Sequence, residues 1–225
     1  MIKTTSLPVL MIFLLLFFMC SANSESHNNQ YFLDQFVQYQ EFQNWYKFWN
    51  DSFPDVDLEK LNFNHKNSLI LNSGQLSSDR VQELTDRNFT LNYNKTGNFA
   101  VDLYYDVTFI YDPENRSVIV RGRDVDPAFM IYDFNNTHAC YYTLGSTTFY
   151  DESVWTSDTS FAIFGVNFWP VQDSFQNLLV IKGSIRGDTI VLDIYLSEKI
   201  PWISSWSEYM GYKYPNIVFG FKSKK

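Results

Sequence analysis

A histidine and a cysteine two positions apart are the first residues in this chain that could do chemistry as a pair. His138 and Cys140 stand in the stretch HACYYTL. Alternate residues on a strand share a face, but they lie about 6–7 Å apart along it. That distance is too long for a direct hydrogen bond between a nucleophile and its base. The sequence therefore favours a buried, apolar role for Cys140 over that of a hydrolase nucleophile.

Carboxylates are the second group of side chains that could do chemistry. Glycoside hydrolysis needs two carboxyl groups set across one bond, and spacing alone does not select a pair from the six acids concerned: Asp102, Asp106, Asp124, Asp126, Asp151 and Glu152. Asp124, Asp126 and Asp133 offer hard oxygen ligands that suit Ca²⁺. A solvated turn is the competing interpretation, because the full ligand spacing of a calcium loop is not visible.

Other catalytic signatures do not occur in the sequence. The three histidines, at positions 27, 65 and 138, show no helical i, i+4 spacing, and no cysteine cluster is present, which argues against zinc. The chain also lacks a Gly-x-Ser-x-Gly elbow, a phosphate loop and a dinucleotide fingerprint. We therefore predict a protein that is not an enzyme and has no certain cofactor, with calcium as the one candidate.

The beginning of the chain predicts its compartment. Residues 1–22 combine Lys3, an apolar run from Leu7 to Met19, and the small residues of CSA before Asn23. This is the order of a cleaved secretory signal, and the apolar run is shorter than the roughly 20 residues of a membrane span. An uncleaved anchor is the alternative. We predict a signal peptide over 1–22 and one β-rich domain over 23–225.

Repeated glycosylation triplets support the same compartment. Asn-x-Ser/Thr occurs five times, at Asn50, Asn88, Asn94, Asn115 and Asn135. Together with a signal, such repetition indicates a secreted glycoprotein, with the lysosome as the alternative location, and predicts that the used sites are exposed. Cleavage after Ala22 would remove Cys20 and leave Cys140 alone, so the core must stabilise the fold without an internal disulfide.

Composition limits the class of partner. Without Lys3 the chain carries 16 basic and 25 acidic residues, a net charge of about −9, which argues against nucleic acid or an anionic membrane surface. Aromatic residues make up 19% of the chain, with 21 Phe and 15 Tyr. Because each aromatic side chain buries about 150–250 Å², the chain can build a large core or line a large apolar pocket.

Alternating segments predict an antiparallel all-β fold. Eight to ten strands follow one another with short turns and no alternation with helices, so we expect a strongly curved sheet folded into two layers, a half-open barrel or sandwich, with one or two short helices. The stretch from Phe36 to Phe48 fits either a helix or a first strand. A phase slip at Tyr104-Tyr105 predicts a bulge in a long strand. Arg186-Gly187-Asp188 fits a hairpin turn better than an adhesion motif.

The same alternation predicts which side chains face inward. We expect them to line an apolar pocket between the layers, with a filled core as the competing interpretation for each residue: Tyr142, Phe161, Ile163, Leu179, Ile181, Ile194 and Leu196.

From Tyr104 to Tyr209 the order of features resembles the ependymin-related family of secreted glycoproteins. The segments that carry the resemblance are IYDPENRSVIVRG, MIYDF, HACYYTL, TTFYDESVW, TSFAIFGVNF, LLVIKGSIRGDTIVLDIYLSEK and IPWISSWSEY. The resemblance implies a curved, folded sheet with an apolar pocket, calcium binding, association with lipids or gangliosides, dimerisation and cell–matrix adhesion. The family pairs cysteines across the domain, whereas Ile200 stands before Pro201 where a partner for Cys140 would be expected. A buried thiol and an intermolecular disulfide both remain open.

These observations predict a secreted glycoprotein that binds a lipid-like hydrophobic ligand. Aromatic excess, strand count and the lack of catalytic signatures support it. A secreted hydrolase acting on sugars or lipids and a lectin-like adhesion module are the alternatives.

Overall fold

The architecture comes from a computed structural model of the chain. It describes residues 32–55, 57, 60–71, 74–86, 91–105, 108–112, 114, 117–121, 128–145, 147–168, 175–202, 205–215 and 218–221. The signal predicted over 1–22 lies outside these residues. Among the helices described, none has the length and apolar character needed to cross a membrane.

Helices occupy four short segments of the described chain. They are a 3-10 helix at Asp34–Phe36, α1 at Gln40–Ser52, α2 at Ser78–Asp86 and α3 at Ser205–Lys213. The ambiguous segment around residues 36–48 is thus largely helical. The reason is a stripe of buried aromatic side chains at helical spacing on α1, formed by Phe42, Trp45, Phe48 and Trp49.

Strands dominate the rest of the described chain. Their bounds are β1 Asn62–Ile70, β2 Gly74–Gln75, β3 Leu91–Tyr93, β4 Phe99–Asp102, β5 Thr108–Asp112, β6 Ser117–Arg121, β7 Ala128–Asp133, β8 His138–Thr143, β9 Thr148–Trp155, β10 Ser160–Phe168, β11 Phe175–Arg186, β12 Thr189–Pro201 and β13 Val218–Phe221.

Two antiparallel five-stranded sheets form the body of the molecule. Sheet A has the order β1-β12-β11-β10-β9, and sheet B has the order β2-β8-β7-β4-β3. One apolar cluster contains residues from the inner faces of both sheets, including Ile131 of sheet B and Ile181 of sheet A. The predicted all-β fold in two layers is therefore confirmed.

Both sheets are also covered on their outer faces. Helix α1 lays its aromatic stripe on sheet A, where Trp45 packs against Phe164 with ring centroids 5.3 Å apart. On sheet B a smaller cluster joins Leu84 of α2 to Tyr132. Sheet A is therefore apolar on both faces, which is why β10 and β11 read as continuous apolar runs rather than as alternating strands.

Two features differ from the sequence prediction. The phase slip at Tyr104-Tyr105 is not a bulge, because β4 ends at Asp102 and its carboxylate accepts a hydrogen bond from the Tyr104 N–H at 2.8 Å. This local bond favours a turn over a continued strand. In addition, β5, β6 and β13 form a separate three-stranded sheet in which β13 runs parallel to β6.

The hairpin prediction at Arg186-Gly187-Asp188 is confirmed. Arg186 pairs with Thr189 at the ends of β11 and β12, and Gly187 has a φ of 64°. Since residues with a side chain rarely adopt that conformation, glycine is needed here for the turn itself.

Candidate functional site

The seven residues expected to line a pocket all lie in the cluster between the sheets. Six of them are buried and Leu196 is partly buried. Their side chains pack on one another and on neighbouring strands; the Phe161 ring, for example, covers Gly183 of the adjacent strand. All seven residues belong to this one apolar cluster, and the two cavities described below are lined by other side chains.

Of the three predicted calcium ligands, the structure describes only Asp133. Asp124 and Asp126 lie outside the described residues. Asp133 is 3% exposed, and its carboxylate accepts hydrogen bonds from the backbone N–H of Asn135 at 3.0 Å and from the backbone N–H and side-chain amide of Asn136 at 3.2 and 2.8 Å. Asp133 thus stabilises a turn. Among the described residues, no group of three acids, histidines or cysteines could hold a metal.

The glycosylation triplets also differ in environment. Asn50 on α1 and Asn135 in a turn are exposed, as an acceptor requires. Asn94 is only 4% exposed, and its Nδ2 donates to Thr96 Oγ1 at 3.0 Å and to the Asp158 carbonyl at 2.8 Å. Asn94 therefore does not meet the expectation of an exposed acceptor. Asn88 and Asn115 lie outside the described residues.

Cys140 is a free thiol on β8 that faces the core between the sheets. It is 3% exposed, and burial raises the pKa of the thiol to about 12, because the thiolate loses its hydration there. An intermolecular disulfide needs a reachable sulfur, so the burial favours the inert thiol.

A β-bulge in β9 builds the polar site that the sequence did not single out. Phe164 of β10 pairs with Glu152, but the next residue, Gly165, pairs with Tyr150, so Asp151 is an extra residue in β9. Alternation is lost at this point, and Asp151 and Glu152 both contact helices on the outer face of sheet A. Bulges commonly redirect side chains in this way.

Asp151 connects β9 to helix α1 and to the turn after β4. It is 1% exposed, and its Oδ2 accepts a hydrogen bond from the indole N–H of Trp45 at 3.2 Å. The Tyr104 hydroxyl donates to the Asp151 backbone carbonyl at 3.1 Å. These bonds hold the carboxylate between α1 and the turn after β4.

Glu152 forms a buried ion pair with α3. Its Oε1 accepts hydrogen bonds from the Tyr209 hydroxyl at 2.6 Å and from the Lys213 ammonium. Burial raises the pKa of Glu152, while Lys213 and Tyr209 oppose that shift. Burial alone would lower the pKa of Lys213, but the nearby Glu152 carboxylate reverses the effect and leaves the pKa raised. Glu152 and Lys213 thus form a buried, hydrogen-bonded pair in which the carboxylate favours the protonated lysine.

The first cavity lies beside these carboxylates and has a volume of about 270 Å³. It occupies the place where β9, the edge of sheet A, meets β3, the edge of sheet B. The Asn92 amide of β3 joins the two edges by donating to the Ser153 hydroxyl of β9 at 3.1 Å. We call it the edge cavity. Its walls combine acids, one ammonium, tyrosines and apolar side chains: Glu41, Leu91, Asn92, Leu103, Tyr104, Asp151, Glu152, Ser153, Met210, Lys213 and Tyr214.

The second cavity is an apolar groove of about 400 Å³ along α1. Leu33, Val37, Phe42 and Tyr46 provide its apolar lining. Gln43 also lines the groove, and its amide donates to the Val37 carbonyl at 2.7 Å. Asp34 and Lys47 supply charge at the rim. We call this feature the helix groove.

Sequence reasoning named Asp151 and Glu152 among six acids but could not choose them. Their partners Trp45, Tyr209 and Lys213 are 57 to 106 residues away in the chain. The usable signal was the run of acids between aromatic residues in FYDESVW, which breaks strand alternation and so indicates a bulge.

No protein-family model, no curated protein and no solved structure matches the chain.

Proposed function

We propose that this protein is a secreted, non-enzymatic glycoprotein that binds a lipid-like hydrophobic ligand, and that the helix groove holds the ligand. The aromatic composition and the resemblance to ependymin-related proteins support the class of ligand. Dimerisation and cell–matrix adhesion are the parts of this proposal that rest on that resemblance alone, and calcium binding rests on it together with the acids Asp124 and Asp126.

The groove is the observation that carries the proposal. Val37 is 53% exposed although it faces other apolar side chains, so a ligand covering it would remove apolar surface from water. Leu33 and Phe42 are already buried and form a floor that does not need to reorganise. Apolar walls with a few polar groups at the rim are the usual construction of a small-molecule site.

The ligand's polar end has partners at the rim. Gln43 and Lys47 can donate hydrogen bonds to a headgroup, although Lys47 also pairs with Asp51 one turn along α1. Because that ion pair is exposed, solvent weakens it, and Lys47 can turn towards a phosphate or carboxylate. A single-chain lipid with a short anionic or zwitterionic headgroup therefore fits best.

The direct experiment is a thermal-melt screen of the delipidated protein. Decanoate, a lysophosphatidylcholine and a ganglioside would each be tested below the concentration at which they form micelles. A ligand present at a hundredfold excess over its Kd stabilises the fold by about 2.7 kcal/mol, which corresponds to a rise of about 5–10 °C in Tm for a domain of this size.

A pair of matched variants locates the site. Val37→Asp should remove the shift in Tm, because it places a charge inside the groove. Ile70→Asp is the control, since Ile70 is similarly exposed, at 58%, but lies on β1 outside the groove. An unchanged Tm with all three lipids, or equal loss of binding in both variants, would overturn the proposal.

A further inference from the structure

The hairpin tip between β11 and β12 carries two opposite charges one residue apart. Arg186 and Asp188 are both exposed, and only Gly187 separates them. The turn itself requires the glycine, and an aspartate is common beside a glycine in a two-residue hairpin loop. Neither reason applies to the arginine. A tight turn and a recognition motif are therefore compatible at this position.

Neither charge is neutralised within the part of the chain that the structure describes. Arg186 Nε donates to the Ser184 hydroxyl at 3.2 Å, and the terminal nitrogens of the guanidinium make no hydrogen bond or ion pair there. The Asp188 carboxylate accepts a hydrogen bond from the Thr189 hydroxyl at 3.2 Å. Because both partners are uncharged hydroxyl groups, Arg186 and Asp188 each present a full charge to an approaching molecule.

The backbone of the hairpin tip is fixed from both sides. The Leu71 N–H donates to the Asp188 carbonyl at 2.7 Å, and the Ile185 N–H donates to the Thr159 carbonyl at 2.7 Å. Ile185 and Ile190, which flank the tip, are buried in the core between the sheets. The tip is therefore ordered before a partner arrives, which lowers the entropic cost of binding it.

A partner that recognises both charges needs two features. An acidic cleft can hold the Arg186 guanidinium, whose paired N–H donors match the two oxygens of a carboxylate. A divalent cation with an open coordination position can take the Asp188 carboxylate as an oxygen ligand. Adhesion receptors of the integrin type combine these two features and bind the sequence Arg-Gly-Asp.

We propose that the hairpin tip Arg186–Asp188 is the recognition site for a cell-surface receptor of the integrin type, which holds the Asp188 carboxylate on a divalent cation and the Arg186 guanidinium in an acidic cleft. The inference rests on the hairpin and not on the family resemblance. From the proposed function it takes only the extracellular location, and it does not involve the helix groove.

Surface plasmon resonance of the purified full chain on the immobilised ectodomain of the vitronectin-receptor integrin tests the proposal. In the presence of Mn²⁺ the protein should bind with a Kd of about 1 μM or tighter. EDTA should abolish binding, because the carboxylate loses its cation, and the tetrapeptide Arg-Gly-Asp-Ser should compete. All components are purified and no lipid is present, so a failed lipid screen would not affect this result.

Two variants keep both charges and change only their geometry. Asp188→Glu moves the carboxylate by one methylene and should weaken binding by more than about tenfold, because the position of the cation in the receptor is fixed. Arg186→Lys should weaken it by about three- to tenfold, because an ammonium lacks the planar fork of donors. Asp158→Glu is the matched control, since Asp158 is exposed in the loop between β9 and β10, and this variant should bind as the native protein does.

The outcomes separate clearly. Binding that requires Mn²⁺, competition by the tetrapeptide and selective losses in Asp188→Glu and Arg186→Lys would support the site. Unchanged binding of Asp188→Glu, shown to be folded by its Tm, would overturn the proposal, as would an equal loss in Asp158→Glu. The same conclusion follows if binding persists in EDTA, or if none is measured at a protein concentration of about 10 μM.

Discussion

Cys140 shows how one buried position determines the behaviour of a reactive group. Its sulfur lies between two apolar sheet faces, and the pKa of the thiol rises from 9 to about 12. The folded state therefore binds the thiol proton more tightly than the unfolded state does. The protonated Cys140 thiol therefore makes its full contribution to stability below pH 9, and this contribution is lost as the pH rises towards 12.

We expect the free energy of unfolding to decrease with pH between pH 9 and pH 11 in the native protein more steeply than in Cys140→Ala. The difference between the two slopes should be about 1.4 kcal/mol per pH unit. Urea denaturation at several pH values measures this difference, and comparison with the variant cancels the titration of tyrosines and lysines. Parallel curves for the two proteins, or rapid labelling of the native thiol at pH 8, would contradict the burial of Cys140.

Asn94 carries a second prediction at the residue scale. A glycan on Nδ2 would break its bonds to Thr96 and Asp158 and would have to fit in a buried position. In protein secreted by eukaryotic cells, Asn50→Gln and Asn135→Gln should each increase gel mobility by one glycan, whereas Asn94→Gln should not change it. A mobility increase for Asn94→Gln would show that the site is occupied.

At the scale of elements, the β9 bulge depends on the glycine opposite to it. A Cβ at position 165 would lie 2.1 Å from the Phe149 carbonyl oxygen and 3.0 Å from the Tyr150 Cα. Both are backbone atoms of β9, so the strand itself would have to move. The position of Asp151 and Glu152 therefore depends on a glycine in the adjacent strand.

Gly165→Ala should lower the free energy of unfolding by about 2–3 kcal/mol, as overpacking against backbone does. Gly211→Ala is the matched control, because no atom of the described residues, other than its chain neighbours and its own helix backbone, lies within 4 Å of a Cβ at that position. There the substitution should be neutral or stabilise by up to about 1 kcal/mol. Urea midpoints compare the two, and equal effects would argue against a close approach at the bulge.

The contact between α3 and sheet A depends on the pair of Glu152 and Lys213. Lys213→Met should cost about 3–5 kcal/mol, because it leaves a buried carboxylate without its partner. Adding Glu152→Gln should recover much of that loss, and a double-mutant cycle measures the coupling. The exposed pair of Lys47 and Asp51 provides the control, since Lys47→Met should change stability little. Additive effects at the buried pair would contradict the coupling.

At the scale of the whole molecule, the core between the sheets and the helix groove are separate. The sheets meet along both edges: Asn92 bonds to Ser153 on one side, and the Asn67 amide donates to the Tyr142 hydroxyl at 3.2 Å on the other. Between these edges, apolar side chains from both sheets pack in one cluster. Stability and binding should therefore respond to different substitutions.

We expect Ile194→Ala to lower the free energy of unfolding by about 2–5 kcal/mol while leaving lipid affinity unchanged, since Ile194 belongs to the core between the sheets and not to the helix groove. Denaturation and lipid titration of the same variant provide the two measurements. A selective loss of lipid affinity with nearly normal stability would instead indicate that the ligand binds between the sheets.

The sequence by itself determined the local structure of this protein. The succession of short apolar segments separated by turn residues, together with the Gly187 turn, was sufficient to predict antiparallel hairpins and two layers, because strand pairing between chain neighbours depends on local pattern and turn chemistry.

Only the tertiary structure decided which residues meet. Helix α1 folds over sheet A and brings Trp45 to Asp151, 106 residues away, and α3 brings Lys213 to Glu152, 61 residues away. Neither contact follows from spacing in the chain. The partners of the inward apolar residues were equally hidden, because alternation predicts which face of a strand a side chain occupies and not which residues of the other sheet it meets.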